Sequence, residues 1–370
     1  MKILICVSEY FPQGSGIAHV AYNTVETLKK KGIDCTVCSP VGPDIHIKTY
    51  EHYGRFGLLY FWNNVRNYFK KHEKNYDIIW LHNPLFLKTI PFEKCIVTIH
   101  TTAVGQITQK NHPIYLYIYR KIAAMIEVYC FKQLNSEKIQ FTAITPQIQQ
   151  EMGEFISQKI SIISNGVDTQ RFLPPSDRNS IRLKFNIPID AEVFLFVGRL
   201  TEVKRPFEML KLFKKISDKR KNALLIIAGS GELFNSFSQT IEKEQLKNIK
   251  ILGFIPYFNL PEVYACADYY WSTSKYEGQP LTLLEAMATG LPCIVPDIPS
   301  FAVVKDADCG IMINYLDEDN ALDQILNFIN KDRTQYSRNA RIFAENQLDW
   351  QIIAEQYLKL FTAIYSEDHE

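Results

Sequence analysis

Two carboxylates, Glu277 and Glu285, stand with seven residues between them in the stretch Ser272-Thr-Ser-Lys-Tyr-Glu277-Gly278-Gln279-Pro280-Leu281-Thr282-Leu-Leu-Glu285-Ala-Met-Ala-Thr-Gly290-Leu-Pro292. The stretch reads as strand, loop, helix, strand. Pro280 suits the first helical position, where its missing N–H is no loss. Leu283, Leu284, Met287 and Ala288 supply a buried stripe, and Gly290 can take the left-handed position that ends a helix. A helix that begins near Pro280, at the carboxyl end of a parallel strand, offers an anion the free N–H groups of its first turn and the positive end of its dipole. A pyrophosphate fits there. Glu285, in the second turn, can accept hydrogen bonds from vicinal hydroxyls such as those of a ribose. Glu277, just before the helix, can reach a group on the other side of the phosphates. Carboxylates bracketing a phosphate site suit a nucleotide sugar.

The elements that must position these groups are short apolar runs alternating with helix-like segments. Strands are expected at residues 2–8, 34–39, 77–83, 95–101, 141–145 and 159–164 in the first half. In the second half they are expected at 193–198, 223–229, 249–253, 267–272, 292–296 and 310–314. The runs are continuously apolar rather than alternating, the signature of parallel strands covered on both faces. Strand–helix repeats of this kind build doubly wound α/β domains, and 370 residues suffice for two of them. Residues 165–186, with the cluster Arg171-Phe-Leu-Pro-Pro-Ser-Asp-Arg-Asn-Ser180, have the composition of a linker or domain edge. The expected division is a first domain at 1–164, a second at 165–346 and, at 347–370, a terminal helix with apolar Ile352, Ile353, Tyr357, Leu358, Leu360 and Phe361.

Bulk composition narrows the function classes. A net charge of +1 provides no field for nucleic acid, and 46% hydrophobic with 22% charged residues is globular. The first half is mildly basic and the second acidic, which suits a first domain that meets something anionic. No run reaches the length of a membrane span, and the apolar run at 2–7 is too short for a secretory leader. Eight scattered cysteines, among them Cys6, Cys95 and Cys293, read as reduced core residues of a cytoplasmic protein. The Cys35-x-x-Cys38 pair lies inside a strand-like run without the turn that zinc or redox pairs occupy. The acidic pairs Asp306/Asp308 and Asp317/Asp319 have no His or Cys spaced with them to complete a metal site. Two segments of the first half, 50–74 and 113–134, interleave aromatics with Lys and Arg. They fit either ordinary helices covering a sheet or a peripheral contact with the inner membrane surface. Residues 50–74 include Tyr53, Phe56, Tyr60, Phe61, Trp62, Tyr68, Phe69 and Lys74, and residues 113–134 include Pro113, Tyr115, Tyr117, Tyr119, Arg120, Lys121 and Lys132.

The pattern E-G-x-P-x-x-L-L-E-A-M-A-x-G-x-P at 277–292 resembles the signature of the retaining glycosyltransferases of the GT-B fold, the group 1, family 4 type. The resemblance runs along nearly the whole chain. It implies two Rossmann-like α/β domains facing each other across a cleft, with the activated sugar bound between them. Phe196-Val-Gly198-Arg199-Leu200-Thr-Glu-Val-Lys204 resembles the loop whose Arg and Lys neutralise the donor diphosphate, a role that suits cations facing a leaving group's growing charge. Ile227-Ala-Gly229-Ser-Gly231-Glu232 resembles the next strand-to-helix turn. Leu252-Gly253-Phe254-Ile255-Pro256 resembles the segment whose backbone meets the base, and Asn165-Gly166-Val167-Asp168 the element that opens the second domain. The implied donor site therefore contains Arg199, Lys204, Ile255, Gly278, Gln279, Pro280, Leu281, Thr282 and Glu285. In the first domain Phe11-Pro12-Gln13-Gly14-Ser15-Gly16 resembles a loop, with adjacent glycines in the family, that approaches donor or acceptor; here a serine separates Gly14 from Gly16. As a dinucleotide fingerprint it fails, because position 19 is His. His100, in Ile99-His100-Thr101, resembles the histidine that touches the donor sugar, and is paired with Glu277 as a catalytic candidate. His82, in Leu81-His82-Asn83-Pro84, is a similar strand-end residue whose role is left open.

The resemblance implies transfer from a nucleotide sugar, UDP-linked before GDP-linked, to a glycan or lipid-linked acceptor in surface polysaccharide or lipopolysaccharide synthesis. Configuration is retained, and the cations and helix N-terminus supply the charge without a metal or other cofactor. The competing readings are a GT-B epimerase or phosphorylase, a non-catalytic nucleotide-sugar-binding protein, and a nicotinamide oxidoreductase, which the failed glycine fingerprint disfavours.

Overall fold

The computed structural model describes residues 1–12, 14–49, 55–72, 75–90, 94–107, 114–134 and 136–366. Gln13, Tyr50, Tyr53, Lys74 and Pro113, and the side chains of Phe56 and Tyr115, lie outside the described residues. The chain forms two compact units, Met1–Gly166 with Trp350–Glu370, and Val167–Asp349.

Unit 1 is built on seven parallel strands: β1 (Lys2–Cys6), β2 (Asp34–Ser39), β3 (Ile45–His46), β4 (Ile78–His82), β5 (Cys95–Ile99), β6 (Ile139–Ala143) and β7 (Ile160–Ile162). Their order is β3-β2-β1-β4-β5-β6-β7. Strands β4 and β5 are buried at every residue, which is why their sequences are uninterrupted apolar runs. The two-residue β3 has too little sequence to signal itself and was not expected.

Unit 2 repeats the plan with six parallel strands: β8 (Glu192–Val197), β9 (Ala223–Ala228), β10 (Ile249–Gly253), β11 (Tyr269–Trp271), β12 (Cys293–Pro296) and β13 (Gly310–Ile313). They are ordered β10-β9-β8-β11-β12-β13. Alternate residues of β8 feed two cores, Val193 and Leu195 one, Phe194 and Phe196 the other. Both sheets have a switch point, where the strand order reverses beside the first strand: β1/β4 in unit 1 and β8/β11 in unit 2. Ligands of doubly wound sheets bind outside the carboxyl ends of the strands at such points.

The stretch 165–186, read as a linker or domain edge, holds the division between the units and belongs to unit 2 from Val167 onward. The division falls at its start, within Asn165-Gly166-Val167-Asp168, and Phe172 is fully buried in the unit 2 core. Val167 pairs with Asp349 in an isolated parallel bridge, and its N–H donates to the Leu348 carbonyl at 2.7 Å. The terminal helix Trp350–Ser366 belongs to unit 1, where Tyr357 and Phe361 pack on Trp80 with ring centroids 4.5 and 5.3 Å away.

The two aromatic, basic segments part company in the structure. Helix Arg55–His72 buries Phe61, Trp62, Val65 and Phe69 completely and is an ordinary cover for the sheet. Helix Ile114–Leu134 buries Ala123, Ala124, Cys130, Phe131 and Leu134 but leaves Ile118, Ile122, Met125 and Tyr129 exposed, Met125 at 72%. Those four recur at helical spacing and form one outward stripe. The helix's single acid, Glu127, is buried and accepts the backbone N–H of Ala103 at 2.6 Å, so the exposed charges of this helix are basic, Lys121 and Lys132 among them. Among the described residues no helix is long and apolar enough to cross a membrane. All eight cysteines are free and buried.

Candidate active site

In a parallel sheet every strand's carboxyl end lies on one edge, so the loops after β8, β9, β10 and β11 meet along that edge of unit 2. The β8 loop carries Arg199 and Lys204; the β11 loop runs through Glu277. Backbone and side-chain contacts bind these two loops together. The Lys275 N–H donates to the Val203 carbonyl at 2.8 Å, the Thr273 hydroxyl to the Lys204 carbonyl at 2.8 Å, and the Lys204 ammonium to the Glu277 carboxylate. The Lys204–Glu277 pair is nearly enclosed, with side chains 19% and 14% exposed. Arg199, by contrast, is exposed and has no hydrogen-bond or ion-pair partner among the described residues.

The helix after the β11 loop spans Leu281–Ala288. Pro280 is its cap, with φ −72° and ψ 122°, not its first helical residue as the sequence suggested. The extended ψ turns the chain in from the Gly278-Gln279 loop, and the proline's fixed φ serves the cap as well as the first turn. The amides of Leu281 and Thr282 have no intrahelical acceptor, while the Leu283 N–H donates back to the Pro280 carbonyl at 3.1 Å. At the other end Gly290 takes φ 75°; its N–H and that of Leu291 donate to Met287 and Ala286 at 2.9 Å each, closing the helix in a Schellman turn. The helix is buried from Leu283 to Ala288, Glu285 included.

A buried carboxylate needs a donor. Glu285 finds Tyr264, whose hydroxyl donates to its Oε2 at 2.7 Å; the same oxygen of Tyr264 lies 3.1 Å from the Thr282 carbonyl. Loss of hydration raises the Glu285 carboxyl from its usual 4.5 to about 7, with the Tyr264 hydrogen bond pulling the other way. Tyr270, on β11, hydrogen-bonds the Thr282 hydroxyl at 2.9 Å. Ile255, beyond β10, is half-buried against the unit 2 core. Tyr264, Tyr270 and Thr273 escaped sequence reasoning, since nothing local links a tyrosine to a carboxylate 21 residues on.

In unit 1, His82 closes β4 and His100 follows β5, adjacent strands. Their rings stack with planes 13° apart, and His82 Nδ1 and His100 Nε2 are hydrogen-bonded at 2.9 Å. Burial lowers the basicity of both: His100 to about 3, and His82 well below the ordinary histidine range, with the neighbouring His100 adding to the effect. The His100 N–H donates to Asn83 Oδ1 at 2.7 Å, Asn83 itself holding a left-handed φ of 48°. Gly16 begins the helix Gly16–Lys30 after β1, capped by the Ser15 hydroxyl, and the Ser15 N–H donates to Glu9 at 2.5 Å.

Asp308, Asp317 and Asp319 of the acidic pairs have structural partners. Asp317 caps the helix Glu318–Ile329 by accepting the Asn320 N–H, Asp319 pairs with Lys215 at 3.0 Å, and Asp308 accepts from Asn339.

Unit 2 is thus a doubly wound α/β unit whose switch-point loops are joined by the Lys204–Glu277 ion pair, with the helix Leu281–Ala288 following the second loop. Residues 14–171 match Glycosyltransferase Family 4 and residues 177–343 match Glycosyl transferases group 1; the chain belongs to the glycosyltransferases that join these two domains. WaaG, a glycosyltransferase involved in lipopolysaccharide biosynthesis, matches 97% of this chain over 99% of its own with a TM-score of 0.79 at 19% identity. Sucrose-phosphate synthase from Thermosynechococcus elongatus matches 99% of both chains with a TM-score of 0.81 at 18% identity. These likenesses give the fold, GT-B. The UDP-Gal:alpha-D-GlcNAc-diphosphoundecaprenol alpha-1,3-galactosyltransferase of Escherichia coli is 33% identical over 187 residues, 47% of this chain and 48% of that enzyme. The chain spans about half the length of such curated relatives.

Proposed function

We propose that this chain is a retaining glycosyltransferase that moves a hexosyl or N-acetylhexosaminyl group from a UDP-sugar to a lipid-linked glycan acceptor. GDP-sugars are the second choice of donor. The observation that carries the reading is the joining of the β8 and β11 loops by Lys204 and Glu277 at the switch point, next to a helix N-terminus. In this reading the diphosphate takes the Lys204 ammonium from Glu277 and also meets Arg199 and the amides of Leu281 and Thr282. Glu277, released, accepts hydrogen bonds from the sugar. Glu285 reads the ribose, the backbone at Ile255 lies by the base, and Gly278, Gln279 and Pro280 shape the loop around the phosphates. His100 and the Gly16 loop serve the sugar and acceptor. The leaving charge is met by protein cations and amides, so the chemistry asks for no metal ion or other cofactor.

The E. coli relative's UDP-galactose donor and undecaprenol-linked acceptor support the choice of nucleotide and of acceptor class. So does the exposed stripe on helix Ile114–Leu134, whose apolar side chains and basic charges suit an anionic lipid surface. The setting is then the synthesis of a surface polysaccharide or lipopolysaccharide at the cytoplasmic face of the membrane.

Thermal shift with UDP-, GDP- and ADP-sugars tests the donor site. A donor at 100 times its dissociation constant stabilises a fold by about 2.7 kcal/mol, several degrees at this size. A shift with the UDP series that disappears in Lys204→Ala and Glu285→Ala is expected; a shift with GDP-sugars alone reassigns the donor, and none with any donor overturns the reading. For the acceptor, Met125→Glu should weaken binding to anionic liposomes at low salt. Absence of liposome binding, together with efficient use of a soluble acceptor, overturns the membrane part alone.

A further inference from the structure

His82 is unused by the reading above, yet it is the residue that holds His100. The His82 Nδ1 and His100 Nε2 hydrogen bond uses one nitrogen of each ring. The remaining two, His82 Nε2 and His100 Nδ1, are buried and have no hydrogen-bond partner among the described residues. The pair is walled in: Trp80 lies against His82 with centroids 4.5 Å apart, and Asn83 fixes the backbone of His100. An orphaned ring nitrogen in such a place is a group built to meet something.

Each neutral imidazole carries one N–H. If His82 Nδ1–H donates, His100 carries its own proton on Nδ1 and offers a donor there. If His100 Nε2–H donates, its Nδ1 is a bare acceptor. The shared bond therefore decides what His100 can offer, and it does so without creating a charge.

We propose that His82 is a positioning residue: by occupying His100 Nε2 it sets the ring's orientation and tautomer and leaves Nδ1 as the atom that meets a sugar hydroxyl. This rests on the reading of His100 as a contact of the donor sugar. A hydroxyl both donates and accepts, so a neutral ring of defined tautomer selects one hydroxyl orientation, which an imidazolium, a donor at both nitrogens, does not do.

The test uses three variants of the full chain and nitrogen-15 spectra of its histidine rings at neutral pH. His82→Phe keeps the ring stacking and removes the hydrogen bond; kcat is expected to fall about tenfold, the worth of one hydrogen bond, with the donor KM little changed. His82→Asn places an amide near the former Nδ1 and should recover kcat to within about threefold of wild type, as expected where the hydrogen bond rather than the ring matters. In the spectra UDP-sugar should move the His100 Nδ1 resonance in the wild type, and His82→Phe should give His100 a mixture of tautomers. Unchanged kcat in His82→Phe, or equal losses in the Phe and Asn variants, overturns the proposal. His100→Phe separates the two layers. If it turns over like the wild type, the sugar-contact reading has failed. If it is inactive while His82→Phe is fully active, only the positioning role has failed. Should His82→Phe not fold, the Asn variant and the spectra of the wild type still decide.

Discussion

Unit 2 ends β8 and β11 in a cation and a carboxylate that neutralise each other while keeping some access to water, whereas unit 1 ends β4 and β5 in two histidines that burial keeps uncharged. The same topology thus presents two chemistries. In the proposed reading the ion pair keeps a strong field in reserve, because a diphosphate would displace Glu277 from Lys204 and take its partner. The histidine pair has no field to offer and acts only through the direction of its hydrogen bonds.

Lys204→Ala tests the charged side most severely. One preorganised group stabilising a developing charge is worth about 10²–10³ in kcat, and the substitution also strands the Glu277 carboxylate beside the phosphates. Steady-state turnover with UDP-sugar should fall by that factor. A loss below about tenfold would deny Lys204 its role at the diphosphate, whatever its effect on stability.

Dependence on pH should separate the two sites in an unexpected direction. Histidines ordinarily titrate near neutrality, but here His82 and His100 are pushed below that range and Glu285 is raised into it, to about 7. Ribose hydroxyls donate to a carboxylate, so nucleotide binding should weaken as pH falls below 7, and Glu285→Gln should flatten the profile. Stability runs the other way. Below 4.5 the folded and unfolded carboxyls are both protonated; between 4.5 and 7 the unfolded chain ionises first, and the neutral form's advantage is lost as pH rises through 7. That is about 3 kcal/mol of relative stability, read as the difference in denaturant unfolding between wild type and Glu285→Gln from pH 4.5 to 7.5. Equal slopes in the two proteins would show that Glu285 is not desolvated.

Much of the charged site was legible in the sequence because its parts are local. Glu277, the loop, the helix and Gly290 fall within one strand–helix–strand segment, and a capping glycine and an apolar run announce themselves. Pro280 fell one position from its expected place because a fixed φ fits a cap and a first turn equally. The strands were legible from their burial on both faces, apart from β3. What could not be read were partners that only topology brings together: Tyr264 with Glu285, the Thr273 hydroxyl on the Lys204 carbonyl, and His82 on His100. Each joins side chains from different elements, and a residue's own neighbours in sequence hold no trace of that. Residues 171–180, read as a linker or domain edge, begin unit 2 just after the division, but their composition hides a core residue. Proline and polar residues there mask Phe172, which the unit 2 core buries.

Gly229→Ala probes how the charged loop is held. Gly229 has φ 150°, and an added Cβ would lie 1.9 Å from the Gly198 carbonyl oxygen, next to Arg199. Backbone cannot yield as a side-chain tip can, so a loss of about 2–3 kcal/mol is expected, with a melting temperature several degrees lower. Donor-induced stabilisation should shrink with it, because Gly198 sets the course of the loop toward Lys204. A variant with wild-type melting and donor response would show the loop to be looser than its packing implies.

The smallest effect is expected at Arg199, and its smallness sharpens the contrast with Lys204. Arg199 is exposed and has no partner among the described residues, so in the free protein its charge is stabilised by water alone. Arg199→Ala should leave the melting temperature unchanged, since isolated surface charges contribute within about 0.5 kcal/mol. Lys204→Ala should not, because Glu277 loses its counter-ion at 14% exposure. On the proposed reading Arg199 gives up its hydration to reach the diphosphate, which offsets part of its attraction; the nearly enclosed Lys204 has already lost most of its own. The expected loss in kcat is about tenfold, and it should diminish as salt is raised and exposed charges are screened. An Arg199 effect equal to that of Lys204 and insensitive to salt would mean that donor binding buries the arginine as deeply as the lysine, and that the difference between them in the free protein does not survive into the complex.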